Sequence, residues 1–154
     1  MLRMTPAPDI AHQSISGLVF YYLLQTVQLG GQGRVFAAPV DVEPGPATIV
    51  QPDIVVVLVT GVAQITEQRT VGPPDLIVEI VSPGTASYDR GEKRDTYAAV
   101  GIREYWIVDP GSHTVELLIL DDAQHRFVHV YRGQAILPST VIVGWSVATE
   151  QLFG

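Results

Sequence analysis

Apolar runs alternate with short polar or Gly/Pro-rich breaks along the chain, and the period within each run predicts an element. In "AHQSISGLVFYYLLQTVQLGG", residues 11–31, Ile15, Leu18, Val19, Tyr22 and Leu23 recur at spacings of 3, 4 and 7. That is the stripe of one helix face, and Gly30 and Gly31 stop it. "VFAAPVDV" and "TIVQPDIVVVLV" read as strands, with "EPGPA" as the turn between them. Residues 60–72 are polar and predict a loop or irregular connection. "PDLIVEIVS" is nearly continuous in apolar residues, as in a strand covered on both faces. "YDRGEKRDTYAAVG" predicts a helix with Asp89 as its N-cap, Glu92 as the capping-box partner and Gly101 as its stop. "REYWIVDP", "HTVELLIL", "RFVHVY" and "TVIVGWSV" read as later strands. The order helix, strands, helix, strands favours an α/β (α+β) domain, a mixed sheet flanked by helices.

At 154 residues the chain fits a single domain, residues 1–154. A domain of this size removes about two-thirds of its unfolded surface from water. No run of 18 or more apolar residues is present, so no membrane span is expected, and the N-terminus lacks the apolar core of a secretory signal. The chain has no cysteine, which excludes disulfides and thiolate metal sites and agrees with a cytoplasmic setting. The net charge of −7 argues against tight nonspecific binding to nucleic acid, which needs a basic footprint.

Two features break the pattern. Glu79 stands near the centre of an apolar strand, and a buried carboxylate without a partner is costly. Lys93 is the only lysine in the chain. It aligns with Tyr97 and Val100 on the inward face of its helix, in the first turns, where the helix dipole favours acids. A salt-bridged structural Glu79 and a snorkelling Lys93 are the plain alternatives. Asp75 shares a face with Glu79, but four residues along a strand span roughly 13 Å, too far for one cation to bridge. Asp75 is therefore read as a residue at the start of the strand or a supporting group. Asp53, which leads "DIVVV", is the better companion, because paired strands lie about 4.8 Å apart. Two carboxylates suit a hard cation such as Mg²⁺ or Mn²⁺, which activates water and neutralises phosphoryl charge, and an ammonium beside them can orient the water. That is a toolkit for cutting a phosphodiester.

Other signals are discounted. His125 and His129 lie four apart in a strand-like segment, too far apart there for zinc. "GGQG" lacks the Lys-Ser/Thr of a P-loop, and Ser16, Ser82 and Ser87 lack a G-x-S-x-G context. Tyr105 and Trp106 read as core rather than as a base-stacking platform.

"QPDIVVV", "PPDLIVEIVSPGTASYDRGEKRDTYAAVGIREYWIVDP", the "HQ" of the first helix and, more weakly, "GQAILPSTVIVGWSV" resemble the PD-(D/E)xK, restriction-endonuclease-like superfamily. Within it they resemble the Uma-type endonuclease family, long catalogued as a domain of unknown function. The resemblance implies a three-layer core in the order helix, three strands, helix, strand. It implies Asp53 and Glu79 as metal acids, with Lys93 on the following helix in place of the usual lysine two residues after the glutamate, where Val81 stands. His12 corresponds to a polar position of the first helix, with a solvent-facing residue as the plain alternative. Family members commonly begin with a hairpin that this chain lacks.

The expected function is a Mg²⁺- or Mn²⁺-dependent DNA endonuclease, binding DNA weakly or transiently as a homodimer. The alternatives are a noncatalytic binding or assembly module of the same fold, or an enzyme acting on a small phosphate-containing molecule.

Overall fold

The computed structural model describes residues 9–82, 86–122 and 124–154, with the backbone element alone for residues 86–90 and for Phe127. The first helix, α1 (Ile10–Leu23), starts where the Asp9 carboxylate accepts the His12 amide at 2.7 Å, and it runs on into a π-helical turn over Leu24–Gln28. The predicted stripe buries Ile15, Val19 and Leu23, and Gly31 closes the segment at φ 79°. A positive φ is cheap only without a Cβ.

Among the described residues ten strands follow in two sheets. They are β1 (Gly33–Ala37), β2 (Asp41–Gly45), β3 (Thr48–Val50), β4 (Ile54–Leu58), β5 (Gln64–Ile65), β6 (Arg69–Val71), β7 (Leu76–Ile80), β8 (Glu104–Asp109), β9 (Thr114–Asp121) and β10 (Gln124–Arg132). The second helix, α2 (Ala86–Ala99), joins β7 to β8. The main sheet has the order β1-β4-β7-β8-β9-β10, and all its pairs are antiparallel except β7–β8, which α2 makes parallel. The small sheet has the order β3-β2-β6-β5. With its strands set aside, the main elements run α1, β1, β4, β7, α2, β8, the order that the resemblance implies.

The residue alternation of β4 and β7 sorts the core onto the two faces of the main sheet. Ile54, Val56, Leu76 and Val78 pack beneath α1 with Trp106 and Trp145. Val55, Ile77, Tyr105 and Ile107 pack with Tyr97 of α2 and Val42 of the small sheet. Both strands are buried on both faces, and each such aliphatic side chain contributes roughly 1.5–3 kcal/mol. Asp53 and Glu79 fall in the parity of the α2 face.

Several boundaries differ from the sequence expectation. "VFAAPVDV" is two strands in different sheets, divided at the cis Ala38–Pro39 bond, and "TIVQPDIVVVLV" divides likewise at Gln51–Asp53. The turn contracts to Pro46–Ala47, because Glu43, Pro44 and Gly45 belong to β2. The 60–72 connection supplies β5 and β6 to the small sheet. Asp89 falls inside α2 rather than at its start, and its side chain lies outside the described residues. "TVIVGWSV" is not a strand, although Val141, Ile142, Trp145 and Val147 are buried. Glu104, fully buried on β8, holds that segment instead. Its carboxylate accepts from Trp106 Nε1 (2.8 Å), Ser139 Oγ (2.7 Å), Thr140 N (2.8 Å) and Thr140 Oγ1 (2.9 Å).

Candidate active site

The pairing of β4 with β7 sets Ile54 opposite Val78, so the next pair along the ladder is Asp53 and Glu79. There the two side chains replace the backbone ladder. Asp53 N donates to Glu79 Oε1 at 2.9 Å, and Ile80 N donates to Asp53 Oδ2 at 2.8 Å. Each carboxylate thus binds the other strand's backbone, which fixes the two acids side by side at the sheet's end.

Lys93, from the inward face of α2, forms an ion pair with Glu79 Oε2. His12, in the first turn of α1, brings Nε2 to 3.5 Å from Asp53 Oδ2. The four sequence-predicted residues therefore meet around one cavity of about 150 Å³, whose wall also includes Val81, Ser82 and Tyr105.

Electrostatics at this point are unbalanced. Burial raises the Glu79 carboxyl above the ordinary glutamate value, Lys93 opposes the rise, and the neighbouring Asp53 charge adds to it. Tyr97, one helical turn beyond Lys93, packs edge-on against Tyr105 with ring centroids 5.1 Å apart. Its phenol stays protonated, chiefly through burial and then through the negative charge of Glu79, with a hydrogen bond to that carboxylate as a smaller cause. Sequence periodicity had placed Tyr97 on the inward stripe without linking it to Glu79, because an i, i+4 relation to Lys93 fixes a helix face but not what the face meets.

Asp75 takes no part in the cavity. It is buried at the opposite end of the same strand run, accepts Leu58 N at 2.7 Å and pairs with Arg103. His125 and His129 both lie on β10, remote in register from the acids. Among the described residues no group of three or more His, Cys, Asp or Glu side chains is arranged to hold a metal ion. Two hard carboxylates, one of them paired with Lys93, still match Mg²⁺, which is commonly held by one or two carboxylates with waters and substrate phosphate making up the rest.

Residues 1–150 match the Uma2 family, described as "Putative restriction endonuclease". The chain belongs to this family. Among solved structures it is similar to one described as a putative nuclease belonging to DUF820 from Anabaena variabilis ATCC 29413, with a TM-score of 0.77 and 19% identity over 96% of this chain and 83% of that one. That likeness shows the fold, a mixed sheet with flanking helices. A looser likeness, with a TM-score of 0.45 and 12% identity, covers 99% of this chain and 17% of the type IIG restriction endonuclease BpuSI. No curated protein matches the chain. Among the described residues no helix is long and apolar enough to cross a membrane. Membership in the Uma2 family supports a nuclease reading for the chain.

Proposed function

We propose that the chain is a single-domain, divalent-metal-dependent endonuclease that hydrolyses DNA phosphodiester bonds, with Asp53 and Glu79 as metal acids and Lys93 and His12 as assisting groups. The observation that carries this reading is the mutual backbone capture of Asp53 and Glu79 beneath the Lys93 ammonium. A bound Mg²⁺ or Mn²⁺ would supply Lewis-acid polarisation of the phosphoryl oxygens and a more acidic water.

The chain's own residues do the rest. The two strand amides hold the carboxylates in place before substrate arrives, so no reorganisation is needed at the moment of reaction. Lys93, half-exposed, orients the attacking water and offsets charge that develops on the phosphoryl group. His12 reaches Asp53 from α1, where its imidazole can assist a proton transfer beside that carboxylate. Cutting both strands of a duplex calls for two sites, hence a homodimer.

Nicking of supercoiled plasmid tests the reading. Cleavage is expected with Mg²⁺ or Mn²⁺, abolished by EDTA and reduced at least 100-fold in Glu79→Ala and in Lys93→Ala. Equal cleavage by both variants and the parent would refute these roles. No cleavage with any divalent metal, together with partner binding that EDTA leaves unchanged, would favour a noncatalytic module.

A further inference from the structure

Glu79 Oε1 accepts the Asp53 amide and Asp53 Oδ2 accepts the Ile80 amide, so each acid has one oxygen fixed to a strand backbone. The other Glu79 oxygen, Oε2, meets the Lys93 ammonium. The two partners of that ion pair differ in freedom. The Glu79 side chain is 5% exposed and anchored in the sheet, whereas the Lys93 side chain is 45% exposed on a flexible four-carbon stem. Lys93 also stands in the wall of a second cavity, of about 280 Å³, beside Glu92 and Thr96 of its own helix. That gives its stem room to turn on the outer side of α2. The movable partner is therefore the lysine.

We propose that Lys93 is a built-in counter-cation for Glu79 and exchanges with a divalent ion there, so that loading the site turns its ammonium off Oε2 and towards the phosphoryl group. The inference rests on the metal-dependent reading of the site and adds how that site is loaded and put in order. Three considerations carry it. A carboxylate as buried as Glu79 is costly without a partner, so Lys93 leaves only when another cation takes over its charge. Two cations on one carboxylate oxygen repel each other, so an ion shared by Asp53 and Glu79 loosens the ammonium rather than adding to it. A lysine suits such an exchange better than an arginine, because a compact point charge makes no bidentate fork with the carboxylate and its stem turns easily. An ammonium still paired with Glu79 has its charge neutralised there. Lys93 thus guards the acids in one state and assists the reaction in the other, and metal precedes phosphate.

Because Lys93 is the only lysine in the chain, labelling with ¹³C,¹⁵N-lysine gives a single side-chain amine signal. Nuclear magnetic resonance relaxation of that signal in the full chain reads how ordered the side chain is, and calorimetry on the same sample reads Mg²⁺ binding. The side chain is expected to be ordered in metal-free buffer and to gain motion in step with Mg²⁺ saturation. Lys93→Met, which keeps the stem and removes the competing charge, is expected to bind Mg²⁺ more tightly by about tenfold, within the usual range of coupling between two ligands. Should Lys93→Met disturb the fold, the relaxation measurement on the parent chain decides alone. Mg²⁺ that binds while the Lys93 side chain stays as ordered as before overturns the exchange and leaves the metal reading standing. Absence of Mg²⁺ binding in both the parent and a folded Lys93→Met overturns the metal reading and the exchange with it.

Discussion

Glu79 carries the tension of the molecule at the scale of single residues. Its carboxyl titrates above the ordinary glutamate range because burial and Asp53 oppose the charge more than Lys93 supports it. The folded state therefore binds this proton more tightly than the unfolded chain does. The resulting stability is fully present below the ordinary glutamate pKa and is lost as pH rises through the folded value. Glu79→Gln is accordingly expected to be more stable than the parent at neutral pH in metal-free buffer, with the gap closing as pH falls towards 4.5, measured by urea unfolding across pH. A gap independent of pH would show that the carboxylate is not strained. His125 has the opposite sign. Burial lowers its imidazole, so its contribution to stability is present above the ordinary histidine value and is lost as pH falls through the depressed one. Glu104 is the contrasting buried acid, satisfied by four donors from Trp106, Ser139 and Thr140. Glu104→Ala strands those donors in the core and should cost about 3 kcal/mol or more by denaturant titration. A loss below about 1 kcal/mol would mean that the C-terminal segment holds without it.

Strands and helices with strong periodicity were legible in the sequence, and those set by long-range partners were not. The α1 stripe and the apolar runs of β4 and β7 carry their own signal, because burial on one face or on both leaves a period in the residues. The division of "VFAAPVDV" and "TIVQPDIVVVLV" between two sheets leaves none. Each half is apolar, and the change of sheet depends on which strand lies alongside. The 140–147 segment misled for a related reason: it is apolar because it is buried, but its backbone is satisfied by Glu104 and Gln32 rather than by a ladder. Of the site, Asp53, Glu79 and Lys93 could be proposed from residue type and strand spacing. The amide exchange between the two strands could not, because it needs the register of Ile54 on Val78. The opposite end of the same strand pair makes its own prediction. A Cβ on Gly61 would stand 2.4 Å and 2.6 Å from the two oxygens of Asp75, the acid that ties Leu58 to Arg103. Gly61→Ala should therefore cost about 1–3 kcal/mol while leaving the distant carboxylate cavity intact. Unchanged stability would mean that the Asp75 carboxylate shifts freely.

The whole molecule is acidic, at −7, and the proposed site adds two carboxylates facing an anionic substrate. Local compensation then rests on Lys93 and on a divalent ion rather than on a broad basic surface, and DNA affinity should fall only gently with added salt, since few phosphates are neutralised by side chains. The proposal's most direct test is Mn²⁺ binding followed by electron paramagnetic resonance. The account predicts one tightly held ion per chain, lost in Asp53→Asn and in Glu79→Gln but kept in Gly61→Ala. Undiminished Mn²⁺ uptake in both acid variants would contradict it.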